Sequence, residues 1–170
     1  MKFDVIIIGG DPKDAELGLR SIAEGKSVCL IARGGLVGVS PENRAKFVKA
    51  GGTLLCSDAV KKVEWNEDGA VARIFTENLG NTPLTADQYI LAAGRFVSGG
   101  LKSDMNHVWE PIFGADVQYE QDPEKWCDED FFAPQPFEKF GVKTDVLWHV
   151  LKDGKPVDNL FAEGDIIAKK

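Results

Sequence analysis

Two glycines and two aspartates follow a short apolar run near the start of the chain, and their spacing is that of a loop that binds the phosphates of a dinucleotide. The run Phe3–Ile8 is dominated by β-branched apolar residues, as is typical of a strand buried on both faces of a parallel sheet. Such a loop requires Gly-x-Gly-x-x-Gly, so that the backbone approaches the pyrophosphate at the start of the next helix. When the motif is counted from Gly9, Asp11 and Asp14 occupy the positions of the second and third required glycines.

The two aspartates favour a helix that is capped by its own carboxylate over a loop that binds phosphate. Each adds a side chain and a negative charge where a pyrophosphate would lie, and like charges about 4 Å apart repel by roughly 1 to 4 kcal/mol. Asp11 followed by Pro12 is also a favourable helix start, because Asp caps free amides and Pro suits the first helical position. We therefore expect Asp11 to cap the amides that a phosphate would use.

Arg33 follows the second predicted strand, where dinucleotide-binding proteins place an acidic residue that holds a ribose. No acid stands there in this chain, since Ala32 precedes Arg33. Two interpretations of Arg33 stay open: its guanidinium contacts a phosphate of a bound cofactor, or it is a surface residue at a strand end.

The pattern around the loop predicts a βαβ unit, and we assign residues 1–58 to this nucleotide-type part of the chain. Helical spacing marks the buried face of a first helix, formed by Ala15, Leu19, Ile22 and Ala23. Ser27–Ala32 predicts a second buried strand. Ser40, Pro41 and Gly51 bound a second helix, and Thr53–Cys56 predicts a third strand.

Residues 59–94 predict a β-meander followed by a returning parallel strand. Val60–Trp65 and Ala70–Thr76 alternate around an Asp-Gly turn, as the strands of a hairpin do. Thr82–Ala86 is the third run of the meander, and Tyr89–Ala93 is a buried run that ends at a glycine.

Residues 95–170 predict an irregular segment, a hairpin at Asp153 and a last parallel strand at Asn159–Ala162. The aromatic and proline-rich stretch Trp109–Phe140 fits a partner surface and a hydrophobic plug under loops equally well. The fold predicted for residues 1–170 is one truncated Rossmann-like FAD/NAD(P)-binding α/β domain, with a parallel sheet, a β-meander and an irregular aromatic C-terminal half.

Composition excludes several classes of function. A net charge of -7 without a basic stripe excludes nucleic acid as a partner. Three widely spaced cysteines exclude a disulfide framework and a Cys-x-x-Cys metal site, and they indicate a reducing, cytoplasmic location. Cys29 and Cys56 lie in apolar runs, so we expect both to be buried. The first apolar run is too short to enter a membrane, so no direct membrane insertion is expected.

Several longer runs resemble the B component of anaerobic glycerol-3-phosphate dehydrogenase. The most specific is the run from Asp130 to Asp145, DFFAPQPFEKFGVKTD, and a second is EPIFGADV from Glu110 to Val117. Shorter matches are FVKAGG from Phe47, SGGL from Ser98 and the opening ten residues. The resemblance covers residues 1–10 and nearly everything from residue 47 to 165.

The resemblance implies a flavin-binding oxidoreductase component with FAD or FMN as cofactor. Its family passes electrons from glycerol-3-phosphate oxidation toward quinone within a dehydrogenase complex of several subunits, so other subunits are implied partners. By the same resemblance, Gly9 and Gly10 match the dinucleotide loop and Gly94 matches a motif at a strand end. Gly164 and Asp165 match a late Gly-Asp motif near the flavin ribityl chain.

Three departures from that family lead us to expect impaired or lost flavin binding. The aspartates of the loop are one, the short bridge Gly34–Ala45 in place of a large segment is another, and a glycine-rich helix expected after Asp165 is the third. Without the large segment and the glycine-rich helix, apolar sheet surface that they cover in the family would be exposed. Such a surface favours a homo-oligomer, most simply a two-fold dimer, with Phe131 and Phe132 in the contact.

No catalytic set and no metal site can be identified from the sequence. His107 and His149 lack a nucleophile in a recognisable local frame, and a structural or surface role is favoured for both. The acids Asp128, Glu129 and Asp130 fit a solvated turn better than a metal site. Two classes of function remain: an oxidoreductase component that binds FAD or FMN, and a cofactor-free binding or structural module derived from that family.

Overall fold

A parallel β-sheet forms the centre of the protein, which is described here by a computed structural model that covers residues 1–34 and 39–170. Strand β1 (Lys2–Gly9), helix α1 (Pro12–Ala23) and strand β2 (Val28–Ala32) form the predicted βαβ unit. All five residues of β2 are buried, which agrees with its continuous apolar sequence. Gly25 ends α1 with a φ of 83°, a conformation that glycine adopts without strain.

Helix α2 (Pro41–Lys49) and strand β3 (Thr53–Cys56) follow, again as their sequence predicts. The hydroxyl of Ser40 accepts a hydrogen bond from the N–H of Asn43 at 3.2 Å and so caps α2. Phe47 of α2 is fully buried, and its ring lies so close to Gly18 of α1 that a side chain there would collide with it. Part of the short bridge at residues 34–45, namely residues 35–38, lies outside the described residues.

The predicted meander is a hairpin that runs on into the central sheet. Strands β4 (Val60–Trp65) and β5 (Val71–Thr76) pair antiparallel. Leu84 forms one bridge to Ile74 of β5, and β6 (Thr85–Leu91) then pairs parallel to β1. The third run of the meander and the returning strand are therefore parts of one strand, because the chain enters the parallel sheet directly after that bridge.

The remainder of the chain is irregular, as predicted, and carries six further strands. These are β7 (Lys102–Ser103), β8 (Val108–Trp109), β9 (Val117–Gln118), β10 (Gly141–Val142), β11 (His149–Lys152) and β12 (Lys155–Ala162). Single 3-10 turns occur at Pro123–Lys125, Pro136–Lys139 and Gly164–Ile166.

The central sheet has the order β11-β12-β6-β1-β2-β3. All its neighbours are parallel except β11, which pairs antiparallel with β12 at the edge. Strand β1 lies between β2 and β6, so the chain order reverses beside it. In open α/β sheets, ligands bind outside the carboxyl ends of the strands at such a point.

Each face of the sheet is covered by a different part of the chain. Helices α1 and α2 cover the face that contains Val5, Ile7 and Leu30. The hairpin and the aromatic segment cover the opposite face. Asn159 of β12 joins the hairpin to the sheet, because its side chain exchanges two hydrogen bonds of 2.9 Å with the backbone of Val71.

The aromatic segment is partly a plug and partly exposed. Phe113 and Phe140 are buried under it, whereas the exposed fractions of Phe131 and Phe132 are 85% and 92%.

Two predictions of burial are wrong: Ala23 lies on the exposed side of α1, and Cys56 is exposed because it ends the edge strand β3. Within residues 1–34 and 39–170, no helix is long and apolar enough to cross a membrane.

Candidate functional site

A cleft of about 780 Å³ opens at the carboxyl ends of the parallel strands. Its lining includes every residue that the sequence proposed for cofactor contact, namely Gly9, Gly10, Arg33, Gly94, Gly164 and Asp165. The sheet order explains their convergence, because the segments after β1, β2, β6 and β12 all leave the sheet at one edge. Their assignment to a cofactor stays a prediction.

The loop after β1 is closed by its own carboxylates. The carboxylate of Asp11 accepts a hydrogen bond from the N–H of Lys13 at 3.0 Å, which is the cap expected from the sequence. Oδ2 of Asp14 reaches back and accepts from the N–H of Gly10 at 2.7 Å and from that of Asp11 at 2.8 Å. The two aspartates thus cap the start of α1 reciprocally.

Asp14 is the buried acid of this loop, with only 6% of its surface exposed. Burial raises the pKa of its carboxyl group to about 6, although the hydrogen bonds from Gly10 and Asp11 act to lower it. The carboxylate also fills the space beside Gly9, where a side chain would collide with Asp14. Gly9 is therefore needed here to admit the aspartate.

The loop does not fit the diphosphate of a dinucleotide. A phosphate at a helix start is held by free backbone N–H groups. The N–H groups of Gly10, Asp11 and Lys13 are bound to carboxylates, and that of Asp14 donates to the carbonyl of Asp11 at 3.0 Å. Pro12 has no N–H group. No position from 10 to 14 therefore offers a free amide.

Arg33 spans part of the cleft at the end of β2. Its N–H donates to the carbonyl of Gly9 at 3.3 Å, and its guanidinium lies against Gly99, where a side chain would collide with it. Gly99 also has a φ of 81°, so glycine is required there twice over. Arg33 is exposed, so this position is compatible with both interpretations, a surface residue at a strand end and a contact with a ligand in the cleft.

Gly94 and Gly164 lie at the ends of neighbouring strands. Gly94 follows β6 with a φ of 67°, and its carbonyl lies so close to Gly100 that a side chain at Gly100 would collide with it. Gly164 follows β12 with a φ of 77°, and Asp165 is exposed in the same 3-10 turn. The structure brings both motifs to the same cleft as the loop at residues 9–14.

Sequence reasoning missed Asp58, Arg95, Phe96 and Phe137, which also line the cleft. The exposed fraction of Asp58 is only 2%. The sequence signal that could have identified it is an acidic residue two positions after the predicted apolar strand Thr53–Cys56. The other three residues carry no comparable signal, because the irregular chain after residue 94 places them.

Negative charge dominates the cleft. Six acidic residues line it: Asp11, Asp14, Asp58, Glu138, Glu163 and Asp165. Three basic residues line it: Lys13, Arg33 and Arg95. This excess of carboxylates repels a multiply charged anion from the described part of the cleft.

The histidines and the acidic turn lie outside the cleft. Nδ1 of His149 lies 2.9 Å from Oδ2 of Asp145, and the His149 ring packs on Phe161, which fits a structural role. His107 is exposed beside Asp104. Among the described residues, no three His, Cys, Asp or Glu side chains are grouped so that they could hold a metal ion.

Comparison with known proteins identifies the family. A model of the FAD binding domain family matches residues 17–169, so the match begins after the loop at residues 9–14. The B component of anaerobic glycerol-3-phosphate dehydrogenase from Vibrio vulnificus is 38% identical over 137 residues, which are 78% of this chain and 31% of that protein. The same component from Aliivibrio fischeri is 36% identical over 146 residues, or 78% of this chain and 32% of that protein.

The chain thus spans about a third of the length of these curated relatives. Among solved structures, a thioredoxin reductase from Gloeobacter violaceus is 16% identical, with a TM-score of 0.45, and the match covers 61% of this chain and 36% of that one. The strand order reverses beside β1, a cleft lies at the strand ends, and a family model matches residues 17 to 169. The chain therefore belongs to the family of FAD binding domains and is related to the B component of anaerobic glycerol-3-phosphate dehydrogenase.

Proposed function

We propose that this chain is a binding module derived from a flavoprotein oxidoreductase component and that its loop at residues 9–14 does not hold the diphosphate of FAD. One observation carries the proposal. Between Gly10 and Asp14, each backbone N–H group is already bound to a carboxylate or a carbonyl of the same loop. A diphosphate would have to displace two aspartates and also accept the repulsion of their charges.

The charge of the cleft and the family match support the same proposal. Carboxylates outnumber cations two to one along the described lining. The family model matches the chain only from residue 17 onward, so the fold is recognisably that of the family whereas the loop lies outside the match. Fold and ligand chemistry are separable, because one fold hosts many sites.

The purified protein is expected to release neither FAD nor FMN in stoichiometric amount. Without phosphate contacts, a flavin nucleotide loses the strongest polar anchors that this fold provides. The measurement is the visible absorption spectrum in the blue region, followed by chromatography of the supernatant after denaturation. A yellow preparation that yields one equivalent of FAD would overturn the proposal.

An oxidoreductase component that binds FAD or FMN is the second candidate. The observation that favours it is the convergence of Gly9, Gly10, Gly94, Gly164 and Asp165 on one cleft. In that case the chain would take part in electron transfer from glycerol-3-phosphate oxidation, together with other subunits of a dehydrogenase. The flavin measurement separates the two candidates directly.

We further propose that the chain forms a homo-oligomer, most simply a two-fold dimer. Phe131 and Phe132 pack edge to face with ring centres 5.6 Å apart, and both rings are almost fully exposed. A closed two-fold contact buries such a pair against a second copy.

The three cysteines are free, which supports the proposal of a reducing, cytoplasmic location.

Replacing Phe131 and Phe132 together by Ser is expected to shift the protein from dimer to monomer without unfolding it. Both side chains are exposed, so the change removes apolar contact area from the surface and leaves the core intact. Light scattering across a concentration series measures the oligomeric state. Wild-type protein that stays monomeric at the highest concentration would contradict this proposal.

A further inference from the structure

Helices cover one part of a sheet face and leave the rest of that face as an open groove. Helices α1 and α2 pack over β1, β2 and β3. Ile90 of β6 is paired with Ile7 of β1, and Phe161 of β12 is paired with Ile90, so both side chains lie on the face that the helices cover. Ile90 and Phe161 are only partly buried, and a groove of about 550 Å³ lies over them.

The groove has the width of one α-helix. Its apolar lining includes Ile90, Leu147, Trp148, Phe161 and Ile167. Strands β6, β12 and β11 are neighbours, and two strand spacings of about 4.8 Å make this part of the sheet roughly 10 Å wide. An α-helix with its side chains is about 10–12 Å across. One helix therefore fits beside α1, in the same layer.

A helix suits this groove better than an extended segment does. An extended chain on a sheet face leaves its backbone N–H and C=O groups without partners, whereas a helix satisfies its own. Helices on the face of a parallel sheet are also the arrangement that α1 and α2 already have here. Strand β6 has 7 residues and spans roughly 23 Å, which is the length of a helix of about 15 residues.

The loop that precedes β11 forms one side of the groove and exposes large apolar side chains. The exposed fractions of Leu147 and Trp148 are 65% and 56%, and both side chains line the groove. Trp148 has a φ of 69°, an unfavourable left-handed conformation for a residue other than glycine. The loop thus holds a tryptophan in a strained conformation at the edge of an open apolar surface.

Asp145 fixes this loop. Its Oδ1 accepts hydrogen bonds from the N–H groups of Leu147 and His149, both at 2.9 Å. Its Oδ2 lies 2.9 Å from Nδ1 of His149, whose ring packs on Phe161. The N–H of Trp148 donates to the carbonyl of Asp145 at 3.2 Å. Trp148 is therefore in place before a partner arrives, and a preorganised tryptophan is the kind of residue that contributes most to an interface.

Carboxylates border the groove on both sides. Glu163 lines it after β12, with its Oε1 3.9 Å from Nη2 of Arg20 on α1. Glu16 lies one turn before Arg20, on the same side of that helix. Asp145 begins the loop on the opposite side. Since the chain also has a net charge of -7, it favours an occupant that carries Lys or Arg.

We propose that this groove binds an amphipathic α-helix of another protein, whose apolar stripe packs on Ile90, Phe161 and Trp148 and whose flanks carry Lys or Arg. The floor of the groove is the face of the sheet, whereas the cleft described above lies at the strand ends, and the loop at residues 9–14 takes no part in the groove. The inference thus goes beyond the proposed function. Stoichiometric FAD in the purified protein would contradict the proposed function and leave the groove unaffected.

The probe is a synthetic peptide of about 16 residues, which is roughly 24 Å long as a helix. Leucine and alanine form its apolar stripe at helical spacing, and lysine and glutamine fill the other positions. One comparison peptide has the same composition in scrambled order, and another has glutamate in place of lysine. Calorimetric titration of the full chain should give a dissociation constant on the order of 10 µM for the striped peptide. Binding should be at least about 10-fold weaker for the scrambled peptide and about 3-fold weaker for the glutamate peptide.

The variant Trp148→Gly is expected to weaken binding of the striped peptide at least about 10-fold and to raise the melting temperature of the protein. The change removes the tryptophan from the groove, and glycine adopts a φ of 69° without strain. Loss of a tryptophan with a purely structural role would lower the melting temperature instead. Leu147→Ser should weaken binding about 5-fold with little change in melting temperature, because the side chain is exposed and its N–H keeps the bond to Asp145.

Trp109→Ala is the matched control, because it removes a partly exposed tryptophan of β8 outside the groove and should leave binding unchanged. Failure of the striped peptide to bind at about 1 mM would overturn the inference. Equally tight binding of either comparison peptide, or unchanged binding by Trp148→Gly and Leu147→Ser, would also overturn it. Light scattering tests the remaining occupant: a wild-type dimer that Trp148→Gly converts to a monomer would show that a second copy fills the groove, and the inference would be wrong.

Discussion

Replacing Asp14 by Asn is expected to raise the free energy of unfolding by up to about 3 kcal/mol at pH 7 to 8, while leaving it nearly unchanged near pH 4. The carboxylate is 6% exposed, and burial raises its pKa from the ordinary value of 3.8 to about 6. The Asn side chain has the same shape, and its amide oxygen can accept the two N–H groups that Asp14 now binds.

The sign follows from proton binding in the two states. Between pH 4 and 6 the folded protein holds a proton on Asp14 that the unfolded chain has already released. Stability contributed by this group is therefore fully present below about pH 4, falls as the pH rises through about 6, and stays low above it. A shift of roughly two pKa units corresponds to about 3 kcal/mol. The Asn variant has no such loss.

Urea unfolding of wild type and variant at a series of pH values measures this difference. Other buried acids act in both proteins, among them Glu110, whose pKa is also raised by burial, so subtraction isolates Asp14. Asp158→Asn controls for the loss of one exposed carboxylate. A variant less stable than wild type at pH 7 to 8 would show that the two charged hydrogen bonds outweigh the cost of burial.

Most of the fold could be predicted from local patterns. The continuous apolar runs identified β1, β2 and β3, and caps such as Ser40 and Asp11 marked the helix starts. The unpredicted parts depend on distant partners. Strand β6 begins at Thr85 because the chain joins β1 there, and no local signal distinguishes that junction from a third meander strand.

The candidate site divides in the same way. The cap at Asp11 was predicted correctly, because it depends on the start of one helix. The burial of Asp14 was not, since helical spacing alone gives no sign that this acid would turn back to Gly10 and Asp11. Asp58 and Arg95 enter the cleft through the sheet order and the irregular segment, which are tertiary features.

Changing Asp11 and Asp14 together to Gly is expected to give measurable binding of ADP, at least about 10-fold tighter than in the wild type. The change frees the N–H groups of Gly10, residue 11 and Lys13 and removes two negative charges from the start of α1. Each charge contributes at least about 1 kcal/mol of repulsion, so removal of both corresponds to roughly 30-fold in affinity.

The variant should remain folded. Loss of an Asp cap to Gly costs a few tenths of a kcal/mol, and Gly in the first turn of α1 costs roughly 0.5 to 1 kcal/mol more. Relief of the buried charge of Asp14 acts in the opposite direction. The sum is small beside the stability of a domain of this size, typically about 5 to 15 kcal/mol.

A second double variant, Asp11→Asn with Asp14→Asn, separates charge from occupied amides. It removes both charges but keeps side-chain oxygens that can bind the N–H groups of Gly10, residue 11 and Lys13. Calorimetric titration with ADP at fixed ionic strength compares the two variants and the wild type. Binding by the Gly variant alone would identify the occupied amides as the obstacle, and equal gains in both would identify the charge. Binding by neither would place the obstacle outside this loop, and equal binding by all three proteins would contradict the interpretation of the loop as closed.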